Sequence, residues 1–251
     1  MWSTWQESCG APLPTESENV GTHDLTRVAA TWARTTRVCH VALRTGILPL
    51  GAPLGWLSSR IRDSAVSTYV DWPVETDYVV GLAVLLPGQN YPTTMPLLTF
   101  AGRAAAQRGW QVRAVAWSVP DVDSGAKIDW VGTQLRQTIG TFDGRVLVVG
   151  KSLGTCAADY ASQHGYDAIW LTPLLHLPDV VEAMTRNPGR QLLIRGTRDA
   201  AWDLEIARST GADIAEIEGG DHGMFAHDAV RSVELHVEVT RAVDLWLRAL
   251  P

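Results

Sequence analysis

A chain of 251 residues, 46% hydrophobic and 19% charged, holds enough apolar material for one full core, although the length alone would also permit two small domains. Its net charge of −6 argues against a general partner of nucleic acid or acidic membranes, because attraction to phosphate needs a local excess of basic residues. Cys9, Cys39 and Cys156 are odd in number and far apart, which fits neither a disulfide framework nor a metal-ligand spacing.

The sequence divides near residue 80. The N-terminus has no basic stretch followed by an apolar run, so no secretory signal is expected. The most apolar early segment, residues 47–57, is interrupted by Pro49, Gly51, Pro53 and Gly55 and is too short to span a bilayer. A cytoplasmic location without a membrane partner is therefore expected. Within residues 1–80 the pattern suggests a helix over Leu25–Leu43 and a strand over Ser67–Trp72; the rest has no clear periodicity.

From Gly81 onward, short apolar strands alternate with helical patterns. Strands are predicted at Gly81–Leu86, Gln111–Trp117, Val146–Val149, Ala168–Leu171, Gln191–Ile194 and Ile214–Ile217. Helices are predicted at Met95–Arg108, Ser124–Gly140, Ser152–His164, Leu177–Thr185, Trp202–Thr210 and Ala229–Leu250. This alternation builds an α/β domain over residues 81–251, a mostly parallel sheet with helices on both faces. Ligands then collect at the carboxyl ends of the strands.

Three loops at those ends carry chemistry. Gly150-Lys151-Ser152-Leu153-Gly154 follows the strand Val146–Val149 and opens a helix. A G-x-S-x-G turn in that context projects the serine hydroxyl above the sheet at a helix N-terminus. Asp199 lies just after the strand Gln191–Ile194, and His222 lies in the glycine-rich loop after Ile214–Ile217. The chain order Ser152, Asp199, His222 is that of the α/β-hydrolase fold and differs from the chymotrypsin and subtilisin orders.

From about Leu82 the chain resembles a small serine α/β-hydrolase of the dienelactone-hydrolase-like group. The likeness rests on Leu86-Pro87-Gly88, the Gly150–Gly154 elbow, Trp170 to Leu175, and Gly196 to Trp202 with Asp199 inside it. It implies Ser152 as nucleophile, His222 as base and Asp199 as its orienting acid. The oxyanion would be held by the backbone N–H groups of Leu153 and Gln89, the latter by aligning Gly88 with the glycine of the loop after the first parallel strand. Pro87 stands where comparable enzymes usually carry histidine.

Each residue also has a plainer reading. Ser152 could cap a helix, Asp203 is a rival orienting acid, and Asp221 is expected to point away from the site in a supporting or surface role. Lys151 reads as a packing or salt-bridge residue, Cys156 as a small apolar one. Only 18 residues, Pro173 to Arg190, separate two neighbouring strands, so no large cap domain fits there. The walls of the site are expected to be Tyr91, Leu174, Leu175, His176, Trp202 and Met224. The resulting expectation is hydrolysis of a small carboxylic ester or thioester, with no cofactor and no metal. The alternatives are acyl transfer by the same three residues, and a non-catalytic interaction protein. Substrate identity and oligomeric state are not legible in the sequence.

Overall fold

The computed structural model describes residues 68–73 and 75–251. The helix expected over Leu25–Leu43 lies outside them, as do Cys9 and Cys39. Strands form where the sequence is apolar in short runs: β1 (Thr68–Asp71), β2 (Gly81–Leu86), β3 (Trp110–Ala116), β4 (Val146–Lys151), β5 (Asp167–Leu171), β6 (Gln191–Gly196) and β7 (Asp213–Ile217). Every residue of β2 and β4 is buried. Strands apolar on both sides belong in the middle of a parallel sheet, covered above and below. The observed order, β1-β3-β2-β4-β5-β6-β7, puts them there. All neighbours are parallel except the edge strand β1, which runs antiparallel to β3. The strand expected over Ser67–Trp72 is thus the sheet's first, and the sheet begins before Gly81.

Among the described residues five α-helices connect the parallel strands and a sixth follows β7: α1 (Pro96–Gln107), α2 (Ser124–Ile139), α3 (Ala158–His164), α4 (Pro178–Arg186), α5 (Leu204–Ser209) and α6 (Ala229–Arg248). Their starts follow local chemistry. Asp123 and Asp228 accept hydrogen bonds from the N–H groups of Ala126 and Arg231 to cap α2 and α6, while Pro96 and Pro178, which lack an N–H, open α1 and α4.

Alternation along the strands sorts the core into two layers. Ala83, Leu85, Leu147, Val149, Ile169 and Ile194 pack with α1 and α6. Leu82, Val84, Val146, Val148, Ala168 and Leu193 pack with α2, α3, α4 and α5 on the other face. Both faces are therefore covered, and the loops that follow β2, β4, β5, β6 and β7 meet at one edge. Between β5 and β6 the chain holds only the nine-residue α4, so no cap domain is inserted there. Among the described residues no helix is long and apolar enough to cross a membrane.

Candidate active site

The serine elbow is shaped by steric contacts. A Cβ on Gly150 would lie 2.6 Å from the Gly154 carbonyl oxygen, and one on Gly154 would lie 2.5 Å from the Leu86 carbonyl oxygen. Only glycine fits at either place. The chain turns through Ser152 at φ 50°, in the left-handed region, then enters a 3-10 turn over Ser152–Ala157 before α3 begins. The single helix expected over Ser152–His164 is thus corrected. With the two glycine segments in contact the first turns wind more tightly than an α-helix allows. Left-handed backbone at a serine is strained, and it persists because its surroundings over-determine it. Part of that surrounding is Thr155, whose hydroxyl donates to the Ser152 carbonyl at 2.6 Å and accepts from the Leu174 N–H at 3.3 Å.

The other two loops bring their residues to this hydroxyl. His222 Nε2 is 2.9 Å from Ser152 Oγ, and His222 Nδ1 is 2.9 Å from Asp199 Oδ2. A carboxylate can only accept, so the Nδ1 proton is donated to Asp199 and Nε2 is left to accept from the serine. Asp199 is buried, with its second oxygen accepting from the Ala201 N–H at 3.0 Å. Burial pushes its carboxyl up, but the hydrogen bonds from His222 and Ala201 and the nearby His222 and Lys151 charges outweigh this and hold it below the usual carboxylate range. The two loops lock together by Arg198 N–H donating to the Gly220 carbonyl and Thr197 N–H to the Ile217 carbonyl, both at 2.9 Å. The rival acid, Asp203, is occupied elsewhere: it caps α5, accepting from the Glu205 and Ile206 N–H groups.

Asp221 has a larger role than its adjacency to His222 suggested. Its Oδ1 accepts from the N–H groups of Gly223 and Phe225, each at 2.8 Å, and so folds the loop that presents the imidazole. The clue in the sequence is an aspartate two residues before a glycine, an arrangement in which the side chain often captures backbone donors.

One oxyanion candidate sits in the loop after β2 and the other in the elbow itself, directly after β4. Gly88 N–H donates to the Tyr91 carbonyl at 2.9 Å, which makes Gln89 and Asn90 the tip of a tight turn, and the Gln89 N–H has no backbone acceptor among the described residues. Leu153 is buried in the first 3-10 turn, where backbone N–H groups lack a partner within the helix.

The expected walls divide. Leu174 and Trp202 are half-buried, packed against the layer formed with α2 to α5, and the Arg195 guanidinium lies 5.0 Å from the Trp202 ring centroid. His176 is exposed. Leu175 and Met224, however, are core residues. Met224 is fully buried at φ 58°, against Gly220 and the layer formed with α1 and α6, so it supports the His222 loop from below. Tyr91 is also buried; its hydroxyl accepts from the Leu97 N–H at 3.1 Å, and burial pushes it up to about 12. Cys156 is buried and its thiol is pushed up to about 11, which leaves it an inert packing residue. Among the described residues no group of three or more His, Cys, Asp or Glu is placed to hold a metal ion.

No protein-family model matches this sequence, and no curated protein does. Solved structures do resemble it. An alpha-beta serine hydrolase homologue from Coxiella burnetii superposes with a TM-score of 0.55 at 15% identity, over 70% of this chain and 90% of that one. Est1E from Butyrivibrio proteoclasticus, with ferulic acid bound, gives 0.57 at 14% identity over 72% and 94%. A dienelactone hydrolase from Anabaena variabilis gives 0.51 at 12% identity over 74% and 98%. At such identities the likeness is one of fold. The chain has the α/β-hydrolase fold, with a mostly parallel seven-stranded sheet.

Proposed function

We propose that the protein is a serine hydrolase that cleaves a small carboxylic ester or thioester through an acyl-enzyme. The observation that carries this reading is the unbroken chain of hydrogen bonds from Ser152 Oγ to His222 to the buried Asp199 carboxylate. In this reading His222 Nε2 takes the serine proton as Oγ attacks the acyl carbon. Asp199 keeps the imidazole in the required tautomer and stabilises its charged form. The Gln89 and Leu153 N–H groups receive the oxygen that becomes negative, a contribution of roughly 3 kcal/mol for one such donor. His222 then returns the proton to the departing alcohol or thiol, and water activated by the same nitrogen releases the acid.

The preference for small acyl groups rests on the short β5–β6 connection. With only α4 between those strands, that connection adds neither a cap nor the extended apolar cover that a long chain needs. The test is labelling with a fluorophosphonate, located by mass spectrometry, followed by a series of p-nitrophenyl esters of increasing length. Labelling at Ser152 and a maximum at short chains are expected. An unlabelled, folded protein would overturn the hydrolase reading, and a preference for long chains would overturn the size reading.

A further inference from the structure

One charged side chain at the elbow has no part in the steps above. Lys151 immediately precedes Ser152, yet it is only 4% exposed, a rare situation for lysine unless its charge is used. On β4 it alternates in phase with Leu147 and Val149, so its side chain runs to the layer shared with α1 and α6. There it passes beneath the loop after β2: its Cδ lies 3.2 Å from where a Cβ on Gly88 would stand, and its Nζ lies 4.9 Å from the centroid of the Tyr91 ring. An ammonium over an aromatic face is attracted by the ring quadrupole, which fastens the lysine to this loop.

The remaining charged neighbours come from the other two loops. Asp199, after β6, and Asp221, after β7, both act electrostatically on Lys151. Their influence on the ammonium acts through space. Each of these carboxylates has a structural duty: Asp199 orients His222, and Asp221 folds the loop that carries it.

We propose that Lys151 is a positioning residue for the reaction proposed above: its buried ammonium, set over the Tyr91 ring and beneath Gly88, holds the Gln89 turn against the serine elbow, and the enzyme works only while that ammonium is protonated. The inference rests on the serine-hydrolase reading. Burial pulls Lys151 down to about 8, against the raising influence of Asp199 and Asp221, which places its loss of charge within reach of an assay. Tyr91, pushed up to about 12, stays neutral throughout that window and does not confuse the result.

The rate of fluorophosphonate labelling at Ser152 is measured from pH 6 to 10 in the full chain, which needs no knowledge of the substrate. The wild-type rate is expected to fall above about pH 8 as the ammonium deprotonates. Lys151→Arg, whose guanidinium stays charged in this range, should lose no rate between pH 8 and 10 relative to its own value at pH 7. Lys151→Met should label about tenfold more slowly at pH 7 and show no alkaline fall, a loss comparable to misplacing a reacting group. If that variant lacks a cooperative thermal transition, Lys151→Gln takes its place. A wild-type rate without the alkaline fall, or the same fall in the arginine variant, overturns the proposal. Absence of labelling of the folded wild-type protein at every pH instead overturns the hydrolase reading beneath it.

Discussion

The Gly150–Gly154 elbow and the Gly219–Phe225 loop meet at one hydrogen bond, but they are held in place by different forces. Around Ser152 the restraint is contact: backbone atoms of Gly154 and Leu86 occupy the space a side chain would need. Around His222 it is hydrogen bonding: the ring donates to Asp199, two N–H groups donate to Asp221, and backbone groups pair between the β6 and β7 loops. The first kind of restraint is insensitive to pH and intolerant of volume. The second tolerates volume but depends on which groups carry charge. One residue of the site is therefore fixed by shape, and the other two by proton position.

The largest effect should come from cutting the bond where the two regions meet. Ser152→Ala is expected to abolish esterase activity and fluorophosphonate labelling while leaving circular dichroism and the melting temperature near wild type; persistent labelling elsewhere would refute the assignment of the nucleophile. Next, Asp199→Asn attacks the hydrogen-bonded region alone. It should lower turnover by about 10⁴-fold by stabilising the wrong imidazole tautomer, with little change in KM. Steady-state kinetics at pH 7 check this, and a loss of under tenfold would move the orienting role to another acid.

Gly154→Ala attacks the sterically held region. A methyl group 2.5 Å from the Leu86 carbonyl oxygen should destabilise the fold by about 3 kcal/mol, read as a lower urea midpoint at unchanged slope. Lys151 lies on the elbow side but answers to pH. Burial lowers it from 10.5 to about 8, so between these values the unfolded chain holds a proton that the folded chain has released. Wild-type stability should accordingly rise with pH across that window, by about 3 kcal/mol, and Lys151→Met should lack this rise. Urea unfolding of both proteins at pH 7, 9 and 10.5 measures the difference, and parallel pH curves would contradict it. The smallest effect belongs to Asp221→Ala, which leaves two loop N–H groups to water. It should cost about 1–2 kcal/mol of stability. Turnover should fall by less than about tenfold, as a small displacement of His222 would cause.

The sequence carries the fixed-by-shape region almost completely, because sterically required glycines and unbroken apolar strands leave a local pattern. β2 is predicted and found at Gly81–Leu86, and the elbow follows a fully buried β4. The order Ser152, Asp199, His222 is legible for the same reason, since each follows a recognisable parallel strand. Less visible is whatever depends on contacts between loops. Met224 reads as a pocket wall but is buried, because a left-handed turn directs it into the core beneath Gly220. Lys151 reads as packing or a salt bridge, while its partner is an aromatic ring sixty residues earlier. The 3-10 turn after Ser152 is equally hidden: it follows from the approach of Gly154 to β2, which no local window contains.

The two edges of the sheet bear on how the protein behaves at high concentration. A bare edge strand offers unpaired backbone groups to any passing chain and invites fibre-like addition. Here β1 is four residues long and ends in Asp71, paired with Arg113 at 3.1 Å, while β7 carries Asp213 and Glu216, engaged by Arg190, just before the neighbouring strand β6, and by Arg195 within it. A newcomer docking on either side would have to strip water from these ion pairs for only four or five residues of ladder. Among the described residues both edge strands thus carry short ladders and charged pairs, the features that oppose edge-to-edge addition.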